Sequence, residues 1–430
     1  MEALYLSEFA QVTRLVPGEA DDWCASCAND NPRTIVFTSD TDLVLYEYPP
    51  ECLIIFFKDV SLLPNPEFRA YSPITICKRL KLSSFIPLAY AIVQEPGKSL
   101  SENIEDAENC DLNSDAYLDF SKRYTTKIQT PSYVHNRPVV NVALQKLDVR
   151  VSEFVHQALG HILVPIIYLP FLLEDPHLAA SWNLGEDLRI LAYSLLSPNR
   201  VAVQEYQRRA QSITVQEHTL YPLEKTQSTA VKLLDNISAW IQWTADVNLP
   251  RGLIWPLFGV SLTLAQLQYP PKVSRLAGVI NGDFDNTWDF VHLTARVHAV
   301  SYSLRLFKQC IEVWLALYET NVSGGLHDII LRLNQALESF PTIADMFTIP
   351  GQPKKEVLAD DGTLRQALTN MYAGSSIKVP DEHTSKKKRK QERKAREKDE
   401  KKNLVREAGA KKPGANVFNV FDVLDRRTLS

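Results

Sequence analysis

The sequence predicts an α/β region, followed by a mainly α-helical region and a disordered basic tail. Three observations lead to this fold class: two short apolar runs near the N-terminus, a long helical stripe in the middle, and a concentration of Lys and Arg near the C-terminus. A chain of 430 residues that is 45% hydrophobic can form two or three cores, since domains usually have about 100–200 residues. We place the boundaries at 1–97, 98–136, 137–348 and 349–430.

Two apolar segments predict the strands of the α/β region. The runs that begin at Thr34 and at Cys52 are short and rich in aliphatic and aromatic residues. Such runs are typical of buried strands in a sheet that helices cover on both faces. After them, residues 98–136 are rich in Ser, Asp, Glu and Asn, which favours an exposed acidic loop or insertion.

Apolar residues at helical spacing predict the long helix of the mainly α region. They are separated by three and four residues in alternation, with no Gly or Pro between them, so that they form one buried face. The stripe consists of Phe290, Leu293, Val297, Val300, Leu304, Phe307, Ile311 and Trp314.

The predicted tail is strongly basic, whereas the rest of the chain is acidic. Lys386 to Lys412 contains 14 Lys or Arg and five Asp or Glu, although the whole chain has a net charge of −4. This density predicts nuclear import or phosphate contacts on nucleic acid; a merely solvated charged helix is the alternative. The candidate nucleic-acid-binding residues are Lys386, Lys387, Lys388, Arg389, Lys390, Arg393, Lys394 and Arg396.

Residues 415–424 restore apolar side chains after the basic segment, at Val417, Phe418, Phe421 and Leu424. Their spacing fits one face of a helix, so this segment is a candidate docking motif for a protein partner. Folding back onto the body of the protein is the alternative.

Several functional classes lack their motifs in this chain. No HExxH spacing, Gly-rich phosphate loop or Gly-x-Ser-x-Gly elbow occurs, which argues against zinc proteases, kinases, dehydrogenases and serine hydrolases. The six cysteines are scattered, as is typical of a reducing compartment. No apolar run reaches the roughly 20 residues that a bilayer requires, so we expect no membrane contact.

Two acidic motifs carry the candidate chemistry. Glu19 and Asp21 stand at the predicted start of a helix, where carboxylates are favourable. Asp40 and Asp42 follow the first predicted strand, and their i, i+2 spacing would point both in one direction. Four converging carboxylates suit Mg²⁺ or Mn²⁺. The alternative is structural: a helix cap, a first-turn acid and two turn residues.

Several separated segments resemble the XPG and flap-endonuclease proteins, and within them the Asteroid branch found in fungi. The two acidic motifs, read as Pro17-Gly-Glu-Ala-Asp and Ser39-Asp-Thr-Asp-Leu-Val-Leu-Tyr, occur in the family's order. Similar segments begin at Ile54, Phe85, Leu147, Leu169, Ser181 and Glu205.

The resemblance covers roughly residues 15–210 and implies a partial PIN-like, XPG-I-like fold and a role on DNA or RNA in the nucleus. It also implies that Glu19, Asp21, Asp40 and Asp42 are metal ligands. Two features of the family have no counterpart here: an N-terminal half with two further acids, and a Gly-Cys-Asp-Tyr helix-hairpin-helix segment. A truncated gene model, a genuine short product and a degenerate paralogue kept for binding each fit these departures.

Two functional hypotheses follow. The first is an Asteroid-like, Mg²⁺- or Mn²⁺-dependent, structure-specific nuclease. The second is a non-catalytic nuclear scaffold, in which the PIN-like remnant is structural and the helical region and residues 415–424 bind partners. The first hypothesis requires metal binding that Asp40→Asn abolishes, whereas the second does not.

Overall fold

A computed structural model describes residues 2–31, 33–61, 64–125, 133, 137–160, 162–209, 212–267, 269–318, 325–347, 361–374 and 379–380. The chain divides into two compact units. The smaller unit is Val16–His135, and the larger unit combines Met1–Leu15 with Asn136–Ser430.

Helix α1 (Glu2–Tyr5) and a 3₁₀ turn (Ala10–Val12) begin the larger unit, and the smaller unit then follows in the chain. Its elements are α2 (Ala20–Asp30), β1 (Ile35–Thr38), a 3₁₀ helix (Asp42–Leu45), β2 (Leu53–Ser61), β3 (Glu67–Tyr71), α3 (Pro73–Leu80), α4 (Ile86–Gln94), α5 (Leu100–Glu108) and α6 (Asp115–Thr125).

The smaller unit is built on a sheet of order β1-β2-β3. Strands β1 and β2 are parallel, with Ile35 opposite Leu53, and β3 runs antiparallel to β2. The core lies on one face of this sheet, where Ala25 and Ala28 of α2 pack against Val36 and Ile54. Alanines leave room for the helix backbone to approach the strands, so α2 lies close to the sheet and its first turn stands near the end of β1.

Among the described residues, the other face of this sheet is largely exposed although Ile55 is buried on it, contrary to our expectation that helices cover both faces. Ile35, Phe37, Phe57 and Phe68 are each about half exposed there, at 46–58% of their maximal area. The ring of Phe37 lies 6.4 Å from that of Phe57 and 6.1 Å from that of Phe68. The apolar character of the strands was predicted correctly, but the prediction that helices cover both faces of the sheet was wrong.

Residues 98–136 were expected to form a loop or insertion, but much of this segment is helical. Helix α5 has a complete capping box, in which Ser99 and Glu102 satisfy each other's backbone amide groups. Helix α6 follows it and buries Tyr117. The prediction of a loop was therefore wrong for the residues of α5 and α6. The predictions of an insertion and of the domain boundaries stay predictions.

The larger unit continues with α7 (Pro138–Gln145), α8 (Val149–Leu159), β4 (Ile166–Tyr168), a 3₁₀ turn (Ser181–Asn183), α9 (Glu186–Leu196), β5 (Ala202–Arg209), β6 (Ser212–Thr219), α10 (Leu223–Asp246), α11 (Arg251–Gln266), α12 (Val273–Asn281), α13 (Trp288–Leu317), α14 (Gly325–Ala336), α15 (Ile343–Met346) and α16 (Asp361–Gly374).

Helix α13 is the centre of the larger unit. All eight residues of the predicted stripe are buried in it, and α13 packs against α7, α8, α9, α11, α12 and α14. The fold class of an α/β region followed by a mainly helical one is confirmed. Among the described helices, none combines the length and apolar character that a membrane span requires.

Two features of the larger unit differ from the prediction. A second sheet, of order β4-β5-β6, lies within the region expected to be helical. Helix α16 lies within the segment expected to be a disordered tail, and its Leu364, Leu368 and Tyr372 are buried. The apolar spacing of these three residues supports one buried helix face, so disorder was wrong for residues 361–374.

Candidate metal centre

The first acidic motif is placed by the turn that begins α2. Gly18 has a φ of 74°, a left-handed conformation that glycine adopts without steric cost. The indole N–H of Trp23 donates to the carbonyl oxygen of Pro17 at 2.8 Å and fixes this turn against the helix. Glu19 occupies the N-cap position but makes no capping hydrogen bond, so its exposed carboxylate is not used to begin the helix.

The second acidic motif is placed by a turn at the end of β1. The backbone N–H of Asp40 donates to Thr38 Oγ1 at 2.9 Å, and the backbone N–H of Asp42 donates to Asp40 Oδ1 at 2.9 Å. Asp42 then begins the 3₁₀ helix. Asp40 and Asp42 lie beyond the end of β1, so strand alternation does not set their directions, contrary to our expectation; a side-chain-to-backbone turn places them instead.

Acids of both motifs lie close enough to the carboxylate of Asp21 to act on it electrostatically. Burial, and then the negative charges of Asp40, Glu19, Asp42 and Asp22, raise the pKa of Asp21 above its usual value. Asp21 is half-buried, whereas Glu19, Asp40 and Asp42 are exposed. The four candidate ligands therefore share a region of negative potential with Asp22, and Asp21 is the least exposed of the four.

The donor chemistry fits a hard divalent cation, because all four side chains offer carboxylate oxygens. Within the described ranges, however, no three His, Cys, Asp or Glu side chains are placed to hold one ion together. Coordination by three of these carboxylates therefore requires their side chains to rotate, which exposed side chains do readily.

Two tyrosines next to the acids were missed by the sequence analysis. The hydroxyl of Tyr46 donates to Asp22 Oδ1 at 2.6 Å, and the ring of Tyr124 meets that of Tyr46 edge to face at 5.5 Å. Burial, together with the bond to Asp22, raises the pKa of Tyr46 well above its usual value. The signal for Tyr46 was its place at the end of the second motif, but Tyr124 comes from α6 and had no local signal.

Two of the resembling segments of the larger unit, those with Trp182 and Glu205, contribute to a buried polar network. Arg189 binds Glu205 through two nitrogens at 2.6 and 3.0 Å, and the hydroxyl of Tyr193 donates to the same carboxylate at 2.6 Å. His218 Nε2 lies 2.8 Å from Glu205 Oε2, and Arg189 also donates to the carbonyl oxygen of Trp182 at 2.8 Å. These residues hold α9, β5 and β6 together, so they support the fold.

The predicted nucleic-acid-binding residues of the tail, Lys386 to Arg396, lie outside the described residues. The candidate docking segment 415–424 lies outside them as well. Both assignments stay predictions.

The comparisons agree with the resemblance at the level of the family. A family model described as XPG domain containing matches residues 1–220. This range includes both acidic motifs and ends one residue after β6. No significant match was found among curated proteins or among solved structures.

Proposed function

Because the chain belongs to the XPG domain-containing family, we propose that it is a divalent-metal-dependent, structure-specific nuclease, whose Glu19, Asp21, Asp40 and Asp42 hold Mg²⁺ or Mn²⁺. One observation carries the proposal: after burial, the charges of four neighbouring acids, Asp40, Glu19, Asp42 and Asp22, act on the half-buried carboxylate of Asp21 and raise its pKa. A divalent cation would relieve this repulsion. The coarse assignment to XPG-like nucleases rests on the family match, and the Asteroid branch is our finer proposal from the resembling segments.

The residues support this chemistry in different ways. Asp21 is held by α2 and is partly screened from water, so it suits a fixed ligand position. Glu19, Asp40 and Asp42 are exposed and can turn toward a shared ion. When bound, the metal would activate a water molecule and stabilise the leaving oxygen of a phosphodiester.

We also propose that the protein acts in the nucleus and that the basic segment Lys386 to Arg396 contacts phosphates of DNA or RNA. Each neutralised phosphate adds a salt-dependent increment to affinity that does not depend on sequence. Replacing Lys386, Lys387, Lys388, Arg389 and Lys390 by Gln should weaken binding of all nucleic acids alike and make the binding less sensitive to salt.

A non-catalytic nuclear scaffold remains the second candidate. Two acids have structural roles that favour this candidate. Asp40 accepts a hydrogen bond from the backbone N–H of Asp42, and Asp22 accepts one from the hydroxyl of Tyr46. In that case the acidic turns stabilise the smaller unit, and partner binding, including any through residues 415–424, continues without metal.

The test is cleavage of labelled single-stranded, flap and hairpin DNA and RNA by the full 430-residue chain in Mn²⁺, in Mg²⁺ and in EDTA. The main variant is Asp40→Asn/Asp42→Asn, in which the amide oxygen at position 40 can still accept the turn hydrogen bond. Asp30→Asn is the matched control, because Asp30 is an exposed acid at the far end of α2.

The nuclease proposal predicts metal-dependent cleavage that the double variant loses and Asp30→Asn retains. A folded wild-type protein that neither cleaves nor binds Mn²⁺ would instead support the scaffold. Cleavage that persists in the double variant would exclude these carboxylates as the site.

A further inference from the structure

A hydrogen bond connects the two acidic motifs. Asp22 follows Asp21 in the first turn of α2, and Tyr46 ends the 3₁₀ helix that begins at Asp42. The hydroxyl of Tyr46 donates to Asp22 Oδ1 at 2.6 Å. This length is typical of a strong bond from a hydroxyl to an ionised carboxylate. The bond therefore joins the helix that carries Glu19 and Asp21 to the turn that carries Asp40 and Asp42.

The ring of Tyr46 is fixed on two sides. It packs against the core cluster of the smaller unit, which includes Ala25, Leu43 and Tyr48. It also meets the ring of Tyr124 edge to face, with 5.5 Å between the ring centroids. A hydroxyl on a ring held in this way has a defined position, so its bond to Asp22 restrains the distance between the two motifs.

This restraint has a consequence for ion binding. Three of the four proposed ligands are exposed and must be ordered when an ion binds, which costs conformational entropy. Fixing the backbone segments that carry them reduces the number of arrangements that must be lost. A bond that links the segments can therefore strengthen ion binding although neither of its partners is among the proposed ligands.

We propose that Tyr46 is a positioning residue, which acts through Asp22 to hold the two acidic motifs in register for one divalent cation. This inference rests on the proposed function, because it requires Glu19, Asp21, Asp40 and Asp42 to be ligands. Loss of a hydrogen bond made directly to a metal ligand typically costs about 10–100-fold in metal affinity or activity, whereas the Tyr46 bond is made to Asp22, the neighbour of a proposed ligand. We therefore expect a loss at the lower end of this range, about 10-fold, when the Tyr46 hydroxyl is removed.

The experiment measures Mn²⁺ affinity of the full-length chain by electron paramagnetic resonance of free Mn²⁺, with the variant Tyr46→Phe. The change removes the hydroxyl and keeps the ring that packs against the core. The matched control is Tyr71→Phe, because the Tyr71 hydroxyl also donates to a carboxylate, that of Asp59, at 2.9 Å in the same unit. The unfolding midpoint of each variant is measured in EDTA.

We expect Tyr46→Phe to weaken Mn²⁺ binding about 10-fold and Tyr71→Phe to leave the affinity within about twofold of the wild type. Both changes remove a bond of the same kind, so their unfolding midpoints in EDTA should fall by similar amounts. A merely structural role of Tyr46 would change the midpoint without changing the affinity. Adding Tyr46→Phe to an Asp22→Ala background should have no further effect on affinity, because the hydroxyl then has no acceptor.

Three results would overturn the inference. Wild-type binding that depends on Asp40 and Asp42, together with unchanged affinity in Tyr46→Phe, would remove the positioning role and leave the proposed function intact. Equal weakening in Tyr46→Phe and Tyr71→Phe would show a general loss of structure. A wild-type chain that does not bind Mn²⁺ would refute the proposed function, and the inference with it.

Discussion

Glu205→Gln tests the buried network that supports the larger unit. Glu205 is completely buried, and three side chains bind its carboxylate: Arg189, Tyr193 and His218. The substitution keeps the size of the side chain but removes its charge. Arg189, which is 1% exposed, would then remain buried without its counter-ion.

The expected loss is large because an uncompensated buried charge is costly. Removing one partner of a buried ion pair typically costs about 3–5 kcal/mol. For a unit of this size, each kcal/mol lowers the melting temperature by about 2–4 °C, so the midpoint should fall by roughly 6–20 °C. By comparison, the exposed pair of Arg150 and Glu153, at 3.2 Å, should contribute at most about 1 kcal/mol.

Urea unfolding followed by tryptophan fluorescence measures this loss, since six of the seven tryptophans belong to the larger unit. Glu153→Gln is the surface control. The double variant Arg189→Met/Glu205→Gln should recover part of the stability, because it no longer buries an unpaired charge. A loss in Glu205→Gln that does not exceed that in Glu153→Gln would refute the reasoning.

Three further predictions concern pH, the acidic cluster and a close helix contact. Burial lowers the pKa of His218, but the bonds to Glu186 and Glu205 raise it to about 9. The stability contributed by protonated His218 is therefore complete below pH 6.5 and lost as pH rises through about 9. Urea unfolding midpoints should fall over this range, and they should fall less in His218→Gln. Because the pKa of Asp21 is raised, its ionisation opposes folding above the unfolded-state value of 3.8. The variant Asp21→Asn should therefore raise the urea unfolding midpoint at pH 7 in EDTA. It should also abolish any increase in that midpoint on addition of Mn²⁺. Gly185→Ala should destabilise the fold by more than about 1 kcal/mol in thermal unfolding, because φ is 76° and the added Cβ would lie 2.7 Å from Ser303 Oγ; a stable variant would contradict the close contact.

Local patterns predicted the elements whose partners are close in sequence or whose faces are purely apolar. The strands β1 and β2 were predicted because both are short apolar runs between turn residues. The stripe of α13 was predicted because its spacing repeats over the whole helix. The pattern of α13 also specifies which side is buried, whereas the apolar runs of β1 and β2 do not distinguish the buried face from the exposed one.

The second sheet was missed because its buried face is not apolar. Along β5, the inward side chains are Val203, Glu205 and Gln207, which do not read as a hydrophobic strand. The charge of Glu205 is compensated by Arg189, which comes from the preceding helix α9. Strand β3 was missed because it has no buried face that the sequence could reveal. Its residues Glu67, Phe68, Arg69 and Ala70 are all exposed, so the order of polar and apolar residues along it does not follow burial.

The candidate site was predicted only at the level of residue types. Motif spacing identified Glu19, Asp21, Asp40 and Asp42, but it gave the wrong geometric reason for the last two. It also omitted Tyr46 and Tyr124, since Tyr124 reaches the site from a helix whose sequence suggested a loop. The capping box of Ser99 and Glu102 was the readable signal that helices occur in that segment.

Cation affinity in this unit depends on a balance between repulsion and ordering. Repulsion among the acids favours a divalent ion, because Asp21 is partly desolvated and lies in the field of four other negative charges. Ordering opposes the ion, because the other three carboxylates are exposed and must lose rotamer freedom on coordination. The hydrogen bond from Tyr46 to Asp22 reduces the cost of ordering without adding a ligand. Metal affinity should therefore depend on the backbone that carries the acids as much as on the acids themselves.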